Sequence, residues 1–335
     1  MIVQHNASLK SLNTFGLDVR ANSYVRISSI EDLKHVEELP KPWFILGGGS
    51  NILFTKDFPG TVIHVDIRGR GIEGENKNDA LVYGMAGENW HEFVRYTLQL
   101  SLGGIENLAL IPGNLGTAPV QNIGAYGVEI KDVLERVEAF DLITQDVKCF
   151  SCAECRFSYR NSIFKGSEKG RYIITKVVLR LSKSPTVNTS YGAIQSELSS
   201  MGIVQPDIHD VARAVIRIRM SKLPDPAMLG NCGSFFKNPI INASVAERLQ
   251  REHTTMPSYQ TQREGMVKIP AGWLIENAGW KGKPIGNVSM HKHQALVLVN
   301  LGNATGNELY EHAQRVKQSV TETFGIDLEE EVNVL

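Results

Sequence analysis

Residues 105–130 constrain the fold of this chain more than any other part of the sequence. Gly and Pro recur there at short intervals, with Pro112, Gly113 and Gly116 close together. Proline lacks the amide hydrogen that helices and central strands need, and glycine weakens both kinds of element. We therefore predict an ordered loop in place of a helix or a strand, and a loop of this length tends to be functional.

The composition of this long loop indicates what it could contact. Its small residues would let the backbone lie flat against a large planar ligand. Gln121 and Asn122 could supply hydrogen-bond donors and acceptors to the edge of a heterocycle.

The segments around the loop have the alternating and amphipathic patterns of a mixed α and β protein. Predicted strands cover residues 23–27, 43–46, 61–65, 81–87, 137–140, 146–150, 172–181 and 295–300. Predicted helices cover 30 to about 39, with Ser29 as N-cap, and 90–100, 244–252 and 307–324. A Gly-rich turn is expected at residues 68–71.

Composition excludes some classes of protein. The chain has 335 residues, 42% of them hydrophobic, and Lys plus Arg (35) nearly balance Asp plus Glu (36). Nucleic acid is therefore not expected as a partner, because phosphate binding relies on clustered cations. Neither a signal peptide nor an apolar run long enough for a membrane span is visible, so a cytoplasmic location is expected.

Cys149, Cys152 and Cys155 form a C-x2-C-x2-C run that resembles part of an iron–sulfur motif. The fourth cysteine of such a motif is missing, and no nearby histidine completes a usual zinc pattern. Reduced thiols are the expected state, and no metal site is predicted.

A second glycine run, made of Gly47, Gly48, Gly49, Ser50 and Asn51, directly follows a predicted strand. Consecutive small residues can turn their amide groups toward a diphosphate. The run matches neither the P-loop nor the Rossmann pattern, so a plain tight turn stays an open alternative.

Residues 230–239, G-N-C-G-S-F-F-K-N-P, place Ser234 next to two aromatic rings. They fit a turn that enters a strand with Phe235 or Phe236 in the core, or a serine presented to a ligand. Ser234 and Lys237 also match the S-x-x-K motif of β-lactamase-like acyltransferases, but the S-D-N and K-T-G partners of that motif are missing.

Further charged residues leave their roles open. Arg160 lies among aromatic and apolar neighbours and fits a structural ion pair or an anion site. Arg217, Arg219 and Lys222 could contact a phosphate or form a solvated face. Residues 329–331 are three glutamates near the C-terminus, for which a solvated run is the simplest interpretation.

Taken together, these segments resemble the UDP-N-acetylenolpyruvoylglucosamine reductase (MurB) family of bacterial peptidoglycan synthesis. The matching segments are N-T-F-G at 13–16, L-G-G-G-S-N at 46–51, A-G at 86–87 before Trp90 and His91, I-P-G at 111–113, Q-N-I-G-A-Y-G at 121–127, Y-R-N-S-I-F at 159–164, K-L-P-D-P at 222–226, G-S-F-F-K-N-P at 233–239 and A-G-W-L-I at 271–275. Residues 190–192, S-Y-G, resemble the type I subtype, whose extra tyrosine loop folds over the substrate.

The resemblance implies an α+β fold. It comprises a two-part FAD-binding domain of the vanillyl-alcohol-oxidase (PCMH) type and a C-terminal substrate-binding domain. The expected boundaries are 1–68, 69–218 and 219–335, with the last residues returning to the active site. FAD would bind non-covalently through Gly47, Gly48, Gly49, Ser50, Asn51, Ile111, Pro112, Gly113, Gly116, Thr117, Gln121, Asn122, Gly124, Ala125 and Arg219.

The implied reaction is the NADPH-dependent reduction of UDP-N-acetylglucosamine-enolpyruvate. Hydride passes from flavin N5 to the enolpyruvyl methylene carbon, and by resemblance Ser234 protonates the adjacent carbon. Arg160 would stabilise the enolate, and Glu331, if protonated, could donate to the carboxylate. Glu331 is chosen over its neighbours because it precedes a valine, as in the family. Tyr191, Lys222, Asn238 and Gln294 match positions that bind the UDP part.

Other expectations rest on less. NADPH is carried by the resemblance alone, and a monomer is expected. Cys232 departs from the family and could make the site sensitive to oxidation. The chain ends four residues after Glu331, which could anchor that residue less firmly. Another FAD enzyme of the same fold, such as an oxidase of a sugar or an alcohol, and a non-catalytic nucleotide-sugar binding protein stay open as alternatives.

Overall fold

The computed structural model of the chain describes residues 1–261 and 263–335. Contacts between residues divide the chain into two compact units. Unit 1 contains Met1–Ala7, Ala21–Gly49 and Phe58–Ser221, and unit 2 contains Ser8–Arg20, Ser50–Asp57 and Lys222–Leu335. Each unit is therefore built from separate stretches of sequence.

The strands of the described residues are β1 Val3–Ser8, β2 Arg20–Ile27, β3 Trp43–Leu46, β4 Ile52–Leu53, β5 Phe58–Val65, β6 Arg70–Glu75, β7 Asp79–Met85, β8 Gly124–Ala125, β9 Val128–Glu129, β10 Leu134–Asp141, β11 Val147–Ser151, β12 Tyr172–Ser182, β13 Gly230–Ser234, β14 Ile240–Asn242, β15 Tyr259–Gln260, β16 Met266–Lys268, β17 Val288–Met290, β18 Val297–Asn300 and β19 Asn333–Val334. The α-helices are α1 Ile30–Leu33, α2 Trp90–Gln99, α3 Gly192–Ser200, α4 Ile208–Lys222, α5 Ala243–Glu252, α6 Ala271–Asn277 and α7 Gly306–Phe324.

Unit 1 contains two main sheets. The first has the order β1-β2-β5-β3, and its central strand β5 runs parallel to both β2 and β3. The second has the order β11-β10-β12-β7-β6 and is antiparallel. Val177 lies in the middle of the second sheet, opposite Val137 on one side and Gly84 on the other. One core cluster joins both sheets, since Ile63 and Val25 of the first pack with Phe140 of the second.

Unit 2 is a smaller α+β assembly. One of its three-stranded sheets has the order β13-β18-β17, another has the order β14-β16-β15, and α7 packs on β17, β18 and α6. A capping box of Thr305 and Glu308 starts α7, and Gly325 ends it with φ 65°, a left-handed conformation that glycine adopts without strain. The apolar face of α7 therefore lies over the sheet that carries Ser234 at one strand end.

Most predicted elements are confirmed to within a few residues. Strand β3 has the predicted bounds, and α2, α5 and α7 lie where the amphipathic patterns predict them. The predicted helix after Ser29 is wrong in length. The capping box of Ser29 and Asp32 is present, but α1 ends at Leu33 and a separate 3-10 turn covers Val36–Glu38.

The long Gly- and Pro-rich segment is an ordered loop, as predicted. It contains short 3-10 turns at Glu106–Leu108 and Leu115–Thr117 and the two-residue strands β8 and β9. Helices α3, α4 and α6 were not predicted from the sequence, and Arg70 and Gly71 of the predicted turn belong to β6. Within the described residues, every helix is too short or too polar to span a lipid bilayer.

Candidate active site

Ser234 is the last residue of β13, directly after an irregularity in that strand. The pairing of β13 with β18 shifts between Asn231 and Ser234, and Gly233 adopts φ 74°. The side chain of buried Asn231 accepts the Gly233 N–H at 3.0 Å and donates to the carbonyls of Pro224 and Leu229. Such bulges redirect the next side chain. Here the hydrogen bonds of Asn231 hold the turn that sets the direction of Ser234.

Two fully buried rings hold the segment that follows Ser234. Phe235 and Phe236 are 0% exposed and meet edge to face with centroids 5.1 Å apart. The Phe235 N–H donates to the Leu296 carbonyl at 2.9 Å, and its carbonyl accepts the Glu331 N–H at 2.8 Å. The backbone beside Ser234 is therefore bonded on one side to the loop that contains Gln294 and on the other to Glu331. Both rings lie in the core, as the first interpretation of this segment expected.

The three C-terminal glutamates differ in their contacts. Glu329 is exposed and pairs with Lys237. Glu330 accepts a hydrogen bond from the Gln314 amide at 3.0 Å and contacts Lys317. Burial alone would raise the pKa of Glu330, but these donors hold it below its ordinary value. Glu331 is half-buried and lies near Cys232, since its charge contributes to the raised pKa of that thiol. Only Glu331 of the three is thus bonded through its backbone to the residue after Ser234.

The last residues of the chain anchor Glu331 firmly, contrary to the expectation of looser attachment. Strand β19 pairs in parallel with β4, and the Leu335 carbonyl accepts the N–H and the hydroxyl of Thr55 at 2.7 and 2.6 Å. The Asn51 amide donates to the Glu331 carbonyl at 3.3 Å. Asn51 of the glycine run therefore contacts the backbone of a candidate catalytic residue.

Three of the four expected substrate residues belong to unit 2. The side-chain oxygen of Asn238 accepts the Ala271 N–H at 2.9 Å. The side-chain oxygen of Gln294 lies 3.1 Å from where a Cβ on Gly272 would be. Both amides therefore lie at the start of α6. Lys222 is exposed at the end of α4.

The first two glycines of the run after β3 lie so close to residues 113–117 of the long loop that a side chain would not fit between them. A Cβ on Gly48 would lie 2.9 Å from the Gly113 Cα, and one on Gly47 would lie 2.5 Å from Thr117 Cγ2. A Cβ on Gly116 would lie 2.4 Å from the Ala86 Cβ. Gly48 itself is exposed. The two glycine segments thus form a cradle that leaves peptide groups accessible to a ligand, which fits the diphosphate of a dinucleotide.

Asn122 supports the second half of the long loop. It is 0% exposed, and its side-chain amide donates to Glu129 at 2.9 Å and to the Ser158 carbonyl at 3.2 Å. Its side-chain oxygen accepts the Lys131 N–H at 3.3 Å. These bonds engage both the nitrogen and the oxygen of the side-chain amide, so a contact of Asn122 with a ligand would involve its main chain.

Arg160 is held in a strained turn against the same loop. It has φ 55°, a left-handed conformation that costs a non-glycine residue about 1–3 kcal/mol. One guanidinium nitrogen donates to the Gly124 carbonyl at 2.9 Å, and the guanidinium lies 5.4 Å from the centroid of the Tyr159 ring. The long loop thus positions the Arg160 guanidinium through the neutral carbonyl of Gly124.

Arg219 lies within α4 and contacts the beginning of the long loop. Its Nε donates to the Leu110 carbonyl at 3.2 Å, while His91 Nδ1 accepts the Leu110 N–H at 3.0 Å. Burial lowers the pKa of Arg219, and the electrostatic interaction with Tyr126 opposes that effect. Burial likewise lowers the pKa of His91, so its ring is a neutral acceptor.

Two residues of this region were missed by the sequence analysis. Tyr126 contacts both Arg219 and Tyr191, and Asn107 is a buried side chain bonded to the same loop. Tyr126 lies within the matched segment Q-N-I-G-A-Y-G, which could have indicated it. No local pattern indicates Asn107.

The cysteines are free thiols. Burial raises the pKa of Cys232 well above its ordinary value and that of Cys155 to about 12. Cys149 is exposed, and Cys152 donates to the Lys131 carbonyl. Among the described residues, no group of His, Cys, Asp or Glu is arranged to hold a metal ion.

Two family models match the chain. The FAD binding domain matches residues 21–153, and the C-terminal domain of UDP-N-acetylenolpyruvoylglucosamine reductase matches residues 225–335. Together they confirm the predicted α+β fold, with a FAD-binding domain of the vanillyl-alcohol-oxidase type followed by a MurB substrate-binding domain.

Full-length relatives are similar over the whole chain. A UDP-N-acetylenolpyruvoylglucosamine reductase of Flavobacterium johnsoniae is 51% identical over 338 residues, covering 100% of both chains. One of Amoebophilus asiaticus is 48% identical over 339 residues, again covering 100% of both. The crystal structure of the reductase (MurB) from Thermus caldophilus superposes with a TM-score of 0.71 at 25% identity and covers 100% of this chain and 99% of that one.

Proposed function

The chain belongs to the UDP-N-acetylenolpyruvoylglucosamine reductase (MurB) family, and from that premise we propose that it reduces UDP-N-acetylglucosamine-enolpyruvate to UDP-N-acetylmuramate. NADPH is the electron source and FAD, held non-covalently, is the carrier. The enzyme is an FAD-dependent oxidoreductase of peptidoglycan synthesis.

The observation that carries this proposal is the hydrogen bond between the Phe235 carbonyl and the Glu331 N–H. It joins the residue after a candidate proton donor to a candidate acid from the other end of unit 2. A nucleotide-sugar binding protein has no need to bring a serine and a glutamate together in this way. The chemistry of the reaction needs both.

Residues of both glycine segments hold FAD in this proposal. Gly47, Gly48, Gly49, Ser50 and Asn51 contact the diphosphate, and Ile111, Pro112, Gly113, Gly116, Thr117, Gln121, Asn122, Gly124, Ala125 and Arg219 contact the remaining length of the cofactor. When bound and reduced by NADPH, the flavin would supply hydride to the methylene carbon of the substrate. The cradle around Gly48 supports the first set, because only glycine permits its backbone approach.

Ser234 completes the reduction by transferring the proton of its hydroxyl to the carbon next to the substrate carboxylate. A serine hydroxyl is a weak acid, so this transfer relies on a strongly basic acceptor carbon and a close approach. Arg160 supplies positive charge for the enolate that develops, and Glu331, in its protonated form, donates its proton to the carboxylate oxygen. The contacts of Glu329 and Glu330 with Lys237, Gln314 and Lys317 support Glu331 as the acid.

Four residues recognise the UDP part of the substrate. Lys222 neutralises diphosphate charge, while Asn238 and Gln294 offer amides from the start of α6. Tyr191 contacts the nucleotide from the segment S-Y-G at 190–192. We assign the chain to the type I subtype, in which this segment is a tyrosine loop that folds over the substrate.

We also propose three functional domains, with residues 1–68 and 69–218 binding FAD and residues 219–335 binding substrate. The second boundary falls within α4, so this division is one of function and differs from the two compact units. The enzyme acts as a monomer in the cytoplasm.

The decisive experiment measures NADPH consumption by purified, flavin-containing protein. We expect consumption to depend on UDP-N-acetylglucosamine-enolpyruvate and to yield UDP-N-acetylmuramate. The variant Ser234→Ala should lose at least about 100-fold in turnover while NADPH still bleaches the flavin absorbance in the absence of substrate. A colourless protein, or one whose flavin reacts equally well with a simple sugar and oxygen, would refute the assignment. Full turnover by Ser234→Ala would refute the proton-donor role.

A further inference from the structure

Tyr191 rests on a second tyrosine that the proposed reaction does not use. Tyr191 is 51% exposed, and its ring meets the ring of Tyr126 edge to face, with centroids 5.3 Å apart and an interplanar angle of 90°. Tyr126 belongs to the long loop, and Tyr191 immediately precedes α3. The contact therefore joins a candidate substrate residue to the loop assigned to the cofactor.

Two asparagines tie together the backbones that carry these rings. The side-chain amide of Asn107, which is 1% exposed, donates to the Tyr126 carbonyl at 3.1 Å and to the Asn188 carbonyl at 2.9 Å. The Asn188 amide in turn donates to the Gly127 carbonyl at 3.3 Å, and its oxygen accepts the Ser190 N–H and hydroxyl. The backbone is thus fixed at Tyr126 and Gly127 on one side of the ring pair and just before Tyr191 on the other.

Tyr126 is itself constrained. It adopts φ 51°, a conformation that is unfavourable for a residue with a Cβ. The charge of nearby Arg219 opposes the larger effect of burial, which raises the pKa of the Tyr126 hydroxyl. A strained residue persists where its surroundings determine its position, and here the surroundings aim its ring at Tyr191.

We propose that Tyr126 is a positioning residue that pre-orients Tyr191 for the UDP part of the substrate. This inference rests on the proposed function, because it takes Tyr191 as a substrate contact. The ring pair lowers the conformational freedom that Tyr191 would lose on binding, and such pre-organisation strengthens binding without a new contact to the ligand. The interaction energy of aromatic pairs of this geometry is equivalent to a change of about 2- to 10-fold in a dissociation constant.

The test is a double-mutant cycle with substrate binding as the readout. UDP-N-acetylglucosamine-enolpyruvate is titrated by calorimetry into oxidised holoenzyme without NADPH, for the parent, Tyr126→Asn, Tyr191→Ala and the double variant. Asn tolerates the left-handed backbone of position 126 and lacks a ring. Tyr126→Phe is the matched control, because it keeps the ring and loses only the hydroxyl.

We expect Tyr126→Asn to raise the dissociation constant about 2- to 10-fold and Tyr126→Phe to change it less than 2-fold. In the Tyr191→Ala background, Tyr126→Asn should have no further effect, since partners in one contact are not additive. The rate of flavin reduction by NADPH, which does not involve Tyr191, should stay within 2-fold of the parent in Tyr126→Asn.

Additive effects in the cycle, or unchanged binding by Tyr126→Asn, would overturn the inference and leave the proposed function intact. Absence of substrate binding by the parent would overturn the proposed function and the inference with it. If Tyr126→Asn fails to fold, Asn188→Ala serves instead. That variant releases the backbone tie to Gly127 and keeps both rings, and it should also raise the dissociation constant; unchanged binding there would refute the role of the tie.

Discussion

At the scale of single residues, the three C-terminal glutamates provide their own controls. Glu329 pairs with Lys237, three residues after Ser234, and Glu330 contacts Gln314 and Lys317 of α7. Glu331 alone is bonded through its backbone to Phe235, next to the proposed proton donor. A role in catalysis should therefore separate these neighbours sharply.

We expect Glu331→Gln to lower substrate-dependent turnover by about 100-fold or more, because an amide cannot deliver the proton that a carboxylic acid does. Glu329→Gln should stay within about 2-fold of the parent, since surface ion pairs contribute little. Steady-state kinetics and flavin reduction measured on the same preparations check both. Equal losses in the two variants would contradict the assignment of Glu331.

Cys232 is the residue for which the structure changes the expectation most. The sequence suggested an oxidation-sensitive thiol beside Ser234, but the side chain is buried and burial raises its pKa well above the ordinary value. A raised pKa lowers the thiolate fraction at neutral pH, and the thiolate is the reactive form.

We therefore expect iodoacetamide to label exposed Cys149 first in the native enzyme, with Cys155 and Cys232 labelled only on unfolding. Peroxide should inactivate the parent and Cys232→Ala at the same rate. Mass spectrometry of the labelled peptides over time provides the first measurement. Early labelling of Cys232 would show that its burial is transient.

At the scale of elements, α7 carries a buried histidine that links the stability of unit 2 to pH. His312 is 3% exposed, packs edge to face on Trp280, and neither ring nitrogen has a hydrogen-bond partner among the described residues. Burial, with a smaller effect of Arg315, lowers its pKa to about 4. The folded chain therefore holds this imidazole neutral.

The sign of the effect follows from comparing the folded and unfolded states. Above pH 6.5 the ring is neutral in both, so it adds no pH dependence. Between pH 6.5 and about 4 the unfolded state binds a proton that the folded state does not, and the free energy of unfolding falls by up to about 3 kcal/mol. The free energy of unfolding of His312→Leu, measured by urea at pH 7 and pH 5, should fall less between these pH values than that of the parent. A variant that keeps the full pH dependence would contradict this role of His312.

Local patterns could predict most elements, since burial on one face leaves a period in the sequence. The prediction failed at α4 although its sequence contains both a helix-start pattern and a helical apolar period. There Asp207 and Asp210 exchange bonds between side chain and backbone at the helix start, and Val211, Val215 and Ile218 form a buried stripe. Strand β6 shows the opposite case, because Gly71 and Gly74 favour a turn and only pairing with β7 makes this segment a strand.

The candidate site could be predicted only as a set of matching motifs. The bond from Phe235 to Glu331 joins residues far apart in sequence, and the role of Asn107 depends on two carbonyls from different loops. Such contacts leave no local signal, so neither could come from the sequence of one chain.

At the scale of the whole molecule, the glycine run after β3 is one of the places where the chain passes from one compact unit to the other. Gly49 is the last residue of its stretch in unit 1, and Ser50 is the first of a stretch in unit 2. FAD bound by this run should stabilise the folded chain, because a ligand that binds only the folded state adds about 2.7 kcal/mol at a concentration 100 times its Kd.

We expect removal of FAD to lower the melting temperature by several degrees and re-addition to restore it, saturating at one FAD per chain. Gly48→Ala should abolish this shift and release the flavin, because its Cβ would lie 2.9 Å from the Gly113 Cα and 3.2 Å from the Asn114 nitrogen, both main-chain atoms. Gly74→Ala is the matched control, since a Cβ there meets no atom within 4 Å. Scanning fluorimetry of the two apo-variants with and without FAD makes the comparison. A normal shift in Gly48→Ala would place the diphosphate away from this cradle, and a lost shift in Gly74→Ala would mean that the effect is not specific to the glycine contact.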